Sequence, residues 1–159
     1  MAAVDALLSG NLGAEEALDR ALAADPEFAL AHAARARALQ MRGAAAEARE
    51  SAARASGLVR TATRRERGHV EAVNLALGPD LARALAAARE HVREFPRDAL
   101  VLSLATGVYS LTGFSGRRDR NELLLGILDE AAPAYGDDWW FLNVHAFACT
   151  EGGDRARGR

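Results

Sequence analysis

Short segments rich in alanine and leucine alternate with turn signals along the whole chain. The turn signals are Ser9-Gly10, Asp25-Pro26, Gly43, Ser56-Gly57, Gly78-Pro79, Phe95-Pro96, Gly113 and Pro133. Glycine and proline interrupt helices, whereas alanine and leucine are strong helix formers. The chain has 37 alanines and 21 leucines among its 159 residues. The pattern predicts an all-α protein with helices over 2–9, 14–24, 27–41, 44–55, 64–77, 80–94, 98–112, 119–132 and 138–150, followed by a disordered polar tail over 151–159.

One segment favours a β-strand by composition. Residues Val101–Tyr109 are rich in β-forming side chains. No other segment offers a partner strand, and an isolated strand has nothing to pair with. We therefore interpret this segment as part of a helix. A helix start earlier in the chain is clearer, since Thr63 and Glu66 have the spacing of a capping box.

The helices carry a repeat of small residues. A small residue precedes a turn glycine by seven positions in three places: Ala36 and Gly43, Thr106 and Gly113, Ala146 and Gly153. The 70 residues from Pro26 to Pro96 are close to two repeats of about 34 residues, the tetratricopeptide period. We predict one tetratricopeptide-like domain over 1–159, a helical-hairpin solenoid stacked as a right-handed superhelix of about four helix pairs. An alanine-rich helical bundle is the alternative.

Charge and cysteine usage exclude several classes of protein. All 20 basic residues are arginine and the net charge is −2, whereas nucleic-acid binders usually show a basic excess. The one cysteine, Cys149, excludes an internal disulfide and a multi-cysteine metal site. The four histidines have no zinc-site spacing. We expect no nucleic acid partner, metal or cofactor.

The sequence contains no membrane or export signal that we recognise. Its first ten residues lack the basic region of a signal peptide. The longest apolar run, 99–111, is broken by serine, threonine and glycine and is shorter than the roughly 18 residues that span a bilayer. The expected location is the cytoplasm, with no membrane contact.

Several strings resemble the tetratricopeptide repeat protein 38 family. They are Ala21-Leu-Ala-Ala-Asp-Pro-Glu-Phe-Ala-Leu-Ala-His32, Thr63-Arg-Arg-Glu-Arg-Gly-His-Val-Glu-Ala72, Phe95-Pro-Arg-Asp-Ala-Leu100, and Tyr135-Gly-Asp-Asp-Trp-Trp-Phe-Leu142 with His145-Ala-Phe-Ala148. The resemblance covers nearly the whole chain. It implies an all-helical repeat protein with no established reaction, and it implies that the chain corresponds to the N-terminal portion of a longer one.

Residues with catalytic potential are sparse. Glu66 lies one turn before His69, and Cys149 lies near the end of an aromatic helix, where a buried, inert thiol is expected. We therefore predict a non-enzymatic protein–protein interaction scaffold that binds a peptide or helix on a concave face. The expected groove residues are Arg37, Gln40, Glu66, His69, Ser103, Ser110, Trp140 and Asn143. Two hypotheses stay open: a helical enzyme or ligand-binding domain that uses Glu66 and His69, and a fragment with no separate function.

The last predicted helix holds the densest aromatic cluster of the sequence. Helical spacing of Trp139, Trp140, Phe141 and Phe147 predicts burial between neighbouring helices. A repeat array that ends on an apolar helix leaves apolar surface exposed to solvent. We therefore predict self-association through Trp139, Trp140 and Phe147, or fraying of this helix.

Overall fold

The computed structural model describes residues 2–10, 12–107, 110–154 and 156–158. Within these ranges every regular element is helical, which confirms the all-α class. The helices are α1 (Ala2–Ser9), α2 (Ala14–Ala24), α3 (Ala29–Met41), α4 (Ala45–Leu58), α5 (Arg64–Ala76), α6 (Leu81–Glu94), α7 (Ala99–Ser103), α8 (Arg120–Tyr135) and α9 (Trp139–Glu151), with a 3-10 turn at Val59–Thr61. Contacts divide the chain into two compact units, Met1–Asp80 and Leu81–Arg159.

The first unit is built on small residues. Helices α3 and α4 are joined by a connection of three residues, in which Gly43 adopts φ +80°. A side chain would strain that left-handed conformation. Ala36 of α3 and Ala48 and Ala55 of α4 have no exposed surface. The alanines allow the two backbones to approach closely, as the spacing of small residues predicts.

Polar contacts link helices of the first unit at their edges. Ser51 of α4 donates to the backbone oxygen of His32 in α3 at 3.0 Å.

Helix α5 begins with the predicted capping box: Thr63 N–H donates to Glu66 Oε2 at 2.8 Å, and Glu66 N–H donates to Thr63 Oγ1 at 3.3 Å. These bonds satisfy backbone groups that a helix start leaves without partners.

The second unit packs α6 against α7 and α8, and α8 against α9. Its core contains Leu102, Leu104 and Leu128, all almost fully buried. His91 near the end of α6 lies 3.0 Å from the Asp98 carboxylate, and both side chains are buried. This contact holds the turn between α6 and α7.

Helix α7 ends at Ser103, well short of the predicted boundary at residue 112. Hydroxyl groups in this stretch bond to backbone carbonyls that an α-helix would otherwise use. Thr112 Oγ1 donates to the Ala105 oxygen at 2.6 Å, and Gly107 adopts φ +84°. Serine and threonine compete with helical hydrogen bonds in this way. Val108 and Tyr109, part of the predicted helix, lie outside the described residues.

Helix α8 continues through Pro133 to Tyr135, whereas the sequence predicts an end before the proline. Proline lacks the N–H that would donate to the Asp129 oxygen one turn earlier, and the helix nevertheless continues for two more residues. The extension places the Tyr135 ring in a stack on Phe141 of α9, with 4.4 Å between centroids.

The residues after α9 make contacts with both α8 and α9. Glu151 still belongs to α9, and Asp154 N–H donates to the Cys149 oxygen at 2.9 Å. Arg157 Nη2 donates to Asp129 Oδ1 of α8 at 2.6 Å. The described tail residues are thus held against α8 and α9. No helix in the described ranges combines the length and hydropathy that a bilayer crossing requires.

Candidate interaction surfaces

The expected groove residues of the first unit are engaged within that unit. Arg37 Nη1 donates to Gln40 Oε1 at 2.7 Å, and Gln40 Nε2 donates to the Ala76 oxygen at 3.0 Å. Burial lowers the pKa of the Arg37 guanidinium. The pair therefore joins α3 to the end of α5 and has limited capacity to contact a ligand.

Glu66 and His69 do not form an exposed pair. The Glu66 carboxylate accepts both the backbone N–H and the hydroxyl of Thr63, each at 2.8 Å. The bond from the Thr63 backbone is the main reason that the pKa of Glu66 is lowered. His69 is buried in α5. The geometry explains Glu66 as a helix cap.

The expected groove residues of the second unit differ in exposure. Ser103 donates to the Leu100 oxygen at 2.6 Å, and Ser110 is buried against Thr112. Trp140 is buried beside Tyr135, with 6.2 Å between ring centroids. Asn143 is exposed on α9. Of these four residues, it is the one that a partner can reach fully.

Helix α9 presents a stripe of uncharged side chains to solvent. Trp139 keeps 59% of its surface exposed, Leu142 50% and Phe147 44%. With Asn143 and Ala146 they occupy helical positions i, i+3, i+4, i+7 and i+8 on one side of the helix. We call Trp139, Leu142, Asn143, Ala146 and Phe147 the α9 stripe.

The aromatic cluster therefore divides between two sides of α9. Trp140 and Phe141 are buried, as predicted, whereas Trp139 and Phe147 are exposed, contrary to the expected burial. The helix bears almost no charge, so its sequence did not indicate which side faces solvent. Because Trp140 is buried, only Trp139 and Phe147 of the three residues predicted to mediate self-association are exposed.

A groove of about 320 Å³ lies between α6 and α8. Arg93 approaches Glu130 with two nitrogens, Nε at 3.0 Å and Nη2 at 3.2 Å, and Arg89 Nη2 lies 3.7 Å from Glu130 Oε1. The hydrogen bond from Arg93 lowers the pKa of the Glu130 carboxyl. The remaining lining side chains are apolar: Val92, Pro96, Ile127, Ala131, Pro133 and Ala134. The sequence reasoning missed this groove, although Arg89 and Arg93 stand one helical turn apart.

A carboxylate, an imidazole and a thiol lie in a row at the edge of α8 and α9. His145 Nε2 donates to Asp129 Oδ1 at 2.8 Å, and Cys149 Sγ lies 3.8 Å from His145 Nδ1. The hydrogen bond from His145 is the main reason that the pKa of Asp129 is lowered, and Arg157 adds to the effect. This order of groups is the one found in cysteine nucleophile sites.

The thiol in this row is not activated. Cys149 is fully buried, and burial raises the pKa of its thiol. A nucleophilic cysteine needs a lowered pKa and access to substrate. The contacts among Asp129, His145 and Arg157 instead connect α8, α9 and the tail.

No family model, curated protein or solved structure matches the chain. The resemblance to the tetratricopeptide repeat protein 38 family therefore stays a prediction.

Proposed function

We propose that the chain is a non-enzymatic interaction scaffold of tetratricopeptide-like hairpins that binds an amphipathic helix of a partner protein on the α9 stripe. The exposure of Trp139, Leu142 and Phe147 on one side of a single helix carries this proposal. Contiguous exposed apolar surface is uncommon on monomeric proteins and marks interaction sites. Aromatic side chains of this kind contribute most of the binding energy at protein interfaces.

A helical partner fits the stripe better than an extended one. Its members recur at the spacing of one helical face, so they form a ridge that enters the groove of a second helix. An extended peptide usually adds to a sheet edge or fills pockets at alternate residues. The stripe offers neither of these features, because it is a convex row of side chains on a helix.

The hairpin architecture gives secondary support to this proposal. Helices α3 and α4 pack together across a three-residue connection, and α8 and α9 do so across residues 136–138. Packed helix pairs with short turns are the units of tetratricopeptide-like arrays. The resemblance noted in the sequence agrees with this interpretation.

Site-specific photocrosslinking tests the proposed surface. A photoreactive residue at Leu142 is compared with one at Arg49, an exposed position of α4 in the first unit. A partner captured at position 142 is then purified and titrated against the unmodified chain, Leu142→Glu and Arg49→Glu. We expect Leu142→Glu to weaken binding by about tenfold or more, with Arg49→Glu unchanged. Equal labelling at both positions, or equal affinity of the two variants, would contradict the proposal.

A second copy of the chain is the alternative occupant. The stripe bears no charge, so two copies can face each other about a twofold axis without repulsion. Sedimentation across a range of concentrations separates the two outcomes. Self-association that Trp139→Glu abolishes would favour the homodimer, and a monomer at all concentrations would favour a different partner.

A further inference from the structure

We propose that the groove between α6 and α8 binds a medium-chain aliphatic carboxylate, with the carboxylate on Arg89 and the chain along the apolar lining. This site is separate from the α9 stripe, and the proposal does not depend on the scaffold function. Both walls and all lining side chains belong to the second unit.

The charged side chains of the groove have an excess of positive charge. Two guanidinium groups share the single carboxylate of Glu130, and Arg93 takes it with two nitrogens. The Arg89 Nε atom is buried and has no hydrogen-bond partner among the described residues. A guanidinium presents five N–H donors and binds carboxylates with two of them in parallel. The Arg89 Nη2 atom lies 3.7 Å from Glu130 Oε1, beyond hydrogen-bond distance, so the exposed part of this guanidinium retains donors for a second carboxylate.

The remaining lining suits an acyl chain. Val92 and Ile127 face the groove from α6 and α8, and alanine and proline complete it. The volume of about 320 Å³ falls at the lower end of the range of small-molecule sites, roughly 300–1,000 Å³. A short apolar chain with one charged end matches this size and polarity.

A peptide matches the groove less well than an acyl chain. Each peptide unit brings a donor and an acceptor that need partners when buried. Most of the lining lies on α6 and α8, whose backbone groups bond mainly within their own helix, and the Ala134 oxygen already accepts from Arg97 at 3.3 Å. An acyl chain has no such requirement.

Glu130 acts as an internal competitor for the incoming carboxylate. The bidentate contact with Arg93 lowers its pKa, so it remains ionised at neutral pH beside the proposed binding position. Removing its charge releases both guanidinium groups and removes a repulsive neighbour. Glu130→Gln therefore has an effect opposite to that of Arg89→Gln, which a purely structural ion pair would not show.

Titration of the full chain with octanoate tests the site. Binding is followed by calorimetry and by backbone amide NMR shifts, with octyltrimethylammonium as a probe of similar chain and opposite charge. We expect saturable octanoate binding with shifts in α6 and α8, and no binding of the cation. Arg89→Gln should weaken binding about tenfold or more. Glu130→Gln should strengthen it by about two- to fivefold, since the glutamate is half exposed and screened.

Matched variants keep the test decisive if Arg89→Gln fails to fold. Ala134→Leu narrows the groove without changing its charge and should weaken octanoate binding. Arg83→Gln, an exposed position of α6 outside the lining, should leave it unchanged. Equal binding of octanoate and the cation, unchanged affinity in Glu130→Gln, or stronger binding of an acetylated leucine tripeptide than of octanoate would overturn the proposal.

Discussion

The hydroxyl of Tyr135 gives the sharpest test of the second unit. It is buried, and no described residue provides it with a hydrogen-bond partner. Burying a hydroxyl without a partner costs about 1–3 kcal/mol in proteins. The Tyr135 ring keeps its stack on Phe141 at 4.4 Å and its contact with Arg97 at 4.9 Å in a Tyr135→Phe variant. We therefore expect this substitution to raise the free energy of unfolding by about 1 kcal/mol or more.

Tryptophan fluorescence measures this effect in the right part of the chain, because Trp139 and Trp140 are the two tryptophans and both lie in the second unit. An increase of about 1 kcal/mol in the free energy of unfolding raises the melting temperature by about 4–8 °C if the unit unfolds alone, and by about 2–4 °C if the whole chain unfolds together. Urea titration gives the free energy directly.

Thr112→Val is the matched control. It removes a buried hydroxyl of the same unit that does have partners, since Thr112 Oγ1 donates to the Ala105 oxygen at 2.6 Å. Loss of that bond leaves a buried carbonyl unsatisfied and should cost about 1–3 kcal/mol. The two substitutions thus have opposite signs. If Tyr135→Phe is destabilising like Thr112→Val, the hydroxyl has a partner and the reasoning is wrong.

Alkaline pH provides an independent check on Tyr135. Burial raises the pKa of its phenol above the ordinary value, so the folded state binds the proton more tightly than the unfolded state does. The resulting stability is present below about pH 10 and is lost as the pH rises above it. The stability advantage of Tyr135→Phe over the natural protein should therefore increase above about pH 10. A constant difference across that range would contradict the assignment.

Three further predictions concern the helix cap, the alanine core and the tail. Thr63→Ala removes the capping box of α5 and should lower stability by about 1 kcal/mol in circular dichroism melts; an unchanged melt would exclude a stabilising cap. Ala36→Leu places a larger side chain at a position with no exposed surface and should cost about 1–3 kcal/mol by the same measurement, whereas a neutral result would show that α3 and α4 are not closely packed there. Asp129→Asn should be destabilising in urea titrations at neutral pH, because the lowered pKa of Asp129 gives stability that is present above about pH 4 and lost as the pH falls further; a difference that persists in acid would contradict this ion-pair role.

The sequence predicted the helix bounds well where glycine, proline or capping residues mark the helix ends. The bounds of α1 and α2 agree with prediction, and α5 begins at the predicted capping box. The predicted length of α7 was too great, because bonds from side-chain hydroxyls to backbone carbonyls compete with helical hydrogen bonds. This competition depends on how residues 104–112 fold back.

The candidate sites were less predictable than the helices. The groove depends on the contact between Arg93 and Glu130, which stands 37 positions later in the chain. No local pattern in the sequence indicates that these two residues meet. The sequence also did not predict which face of α9 is buried, because both faces are apolar. Packing against α8 is what distinguishes the buried Trp140 from the exposed Trp139. Local periodicity reports which residues share a face, whereas tertiary contacts decide which face is covered.

The cations that line the groove are arginines, as is every basic side chain of the chain. A guanidinium keeps its proton at any pH compatible with folding and has no primary amine for acetylation or ubiquitin attachment. Among the described lining residues Glu130 is the one carboxyl group, and it is already ion-paired. Affinity for an anion at this position should therefore be nearly constant from about pH 6 to pH 9, and lysine-directed enzymes have no means of modulating it.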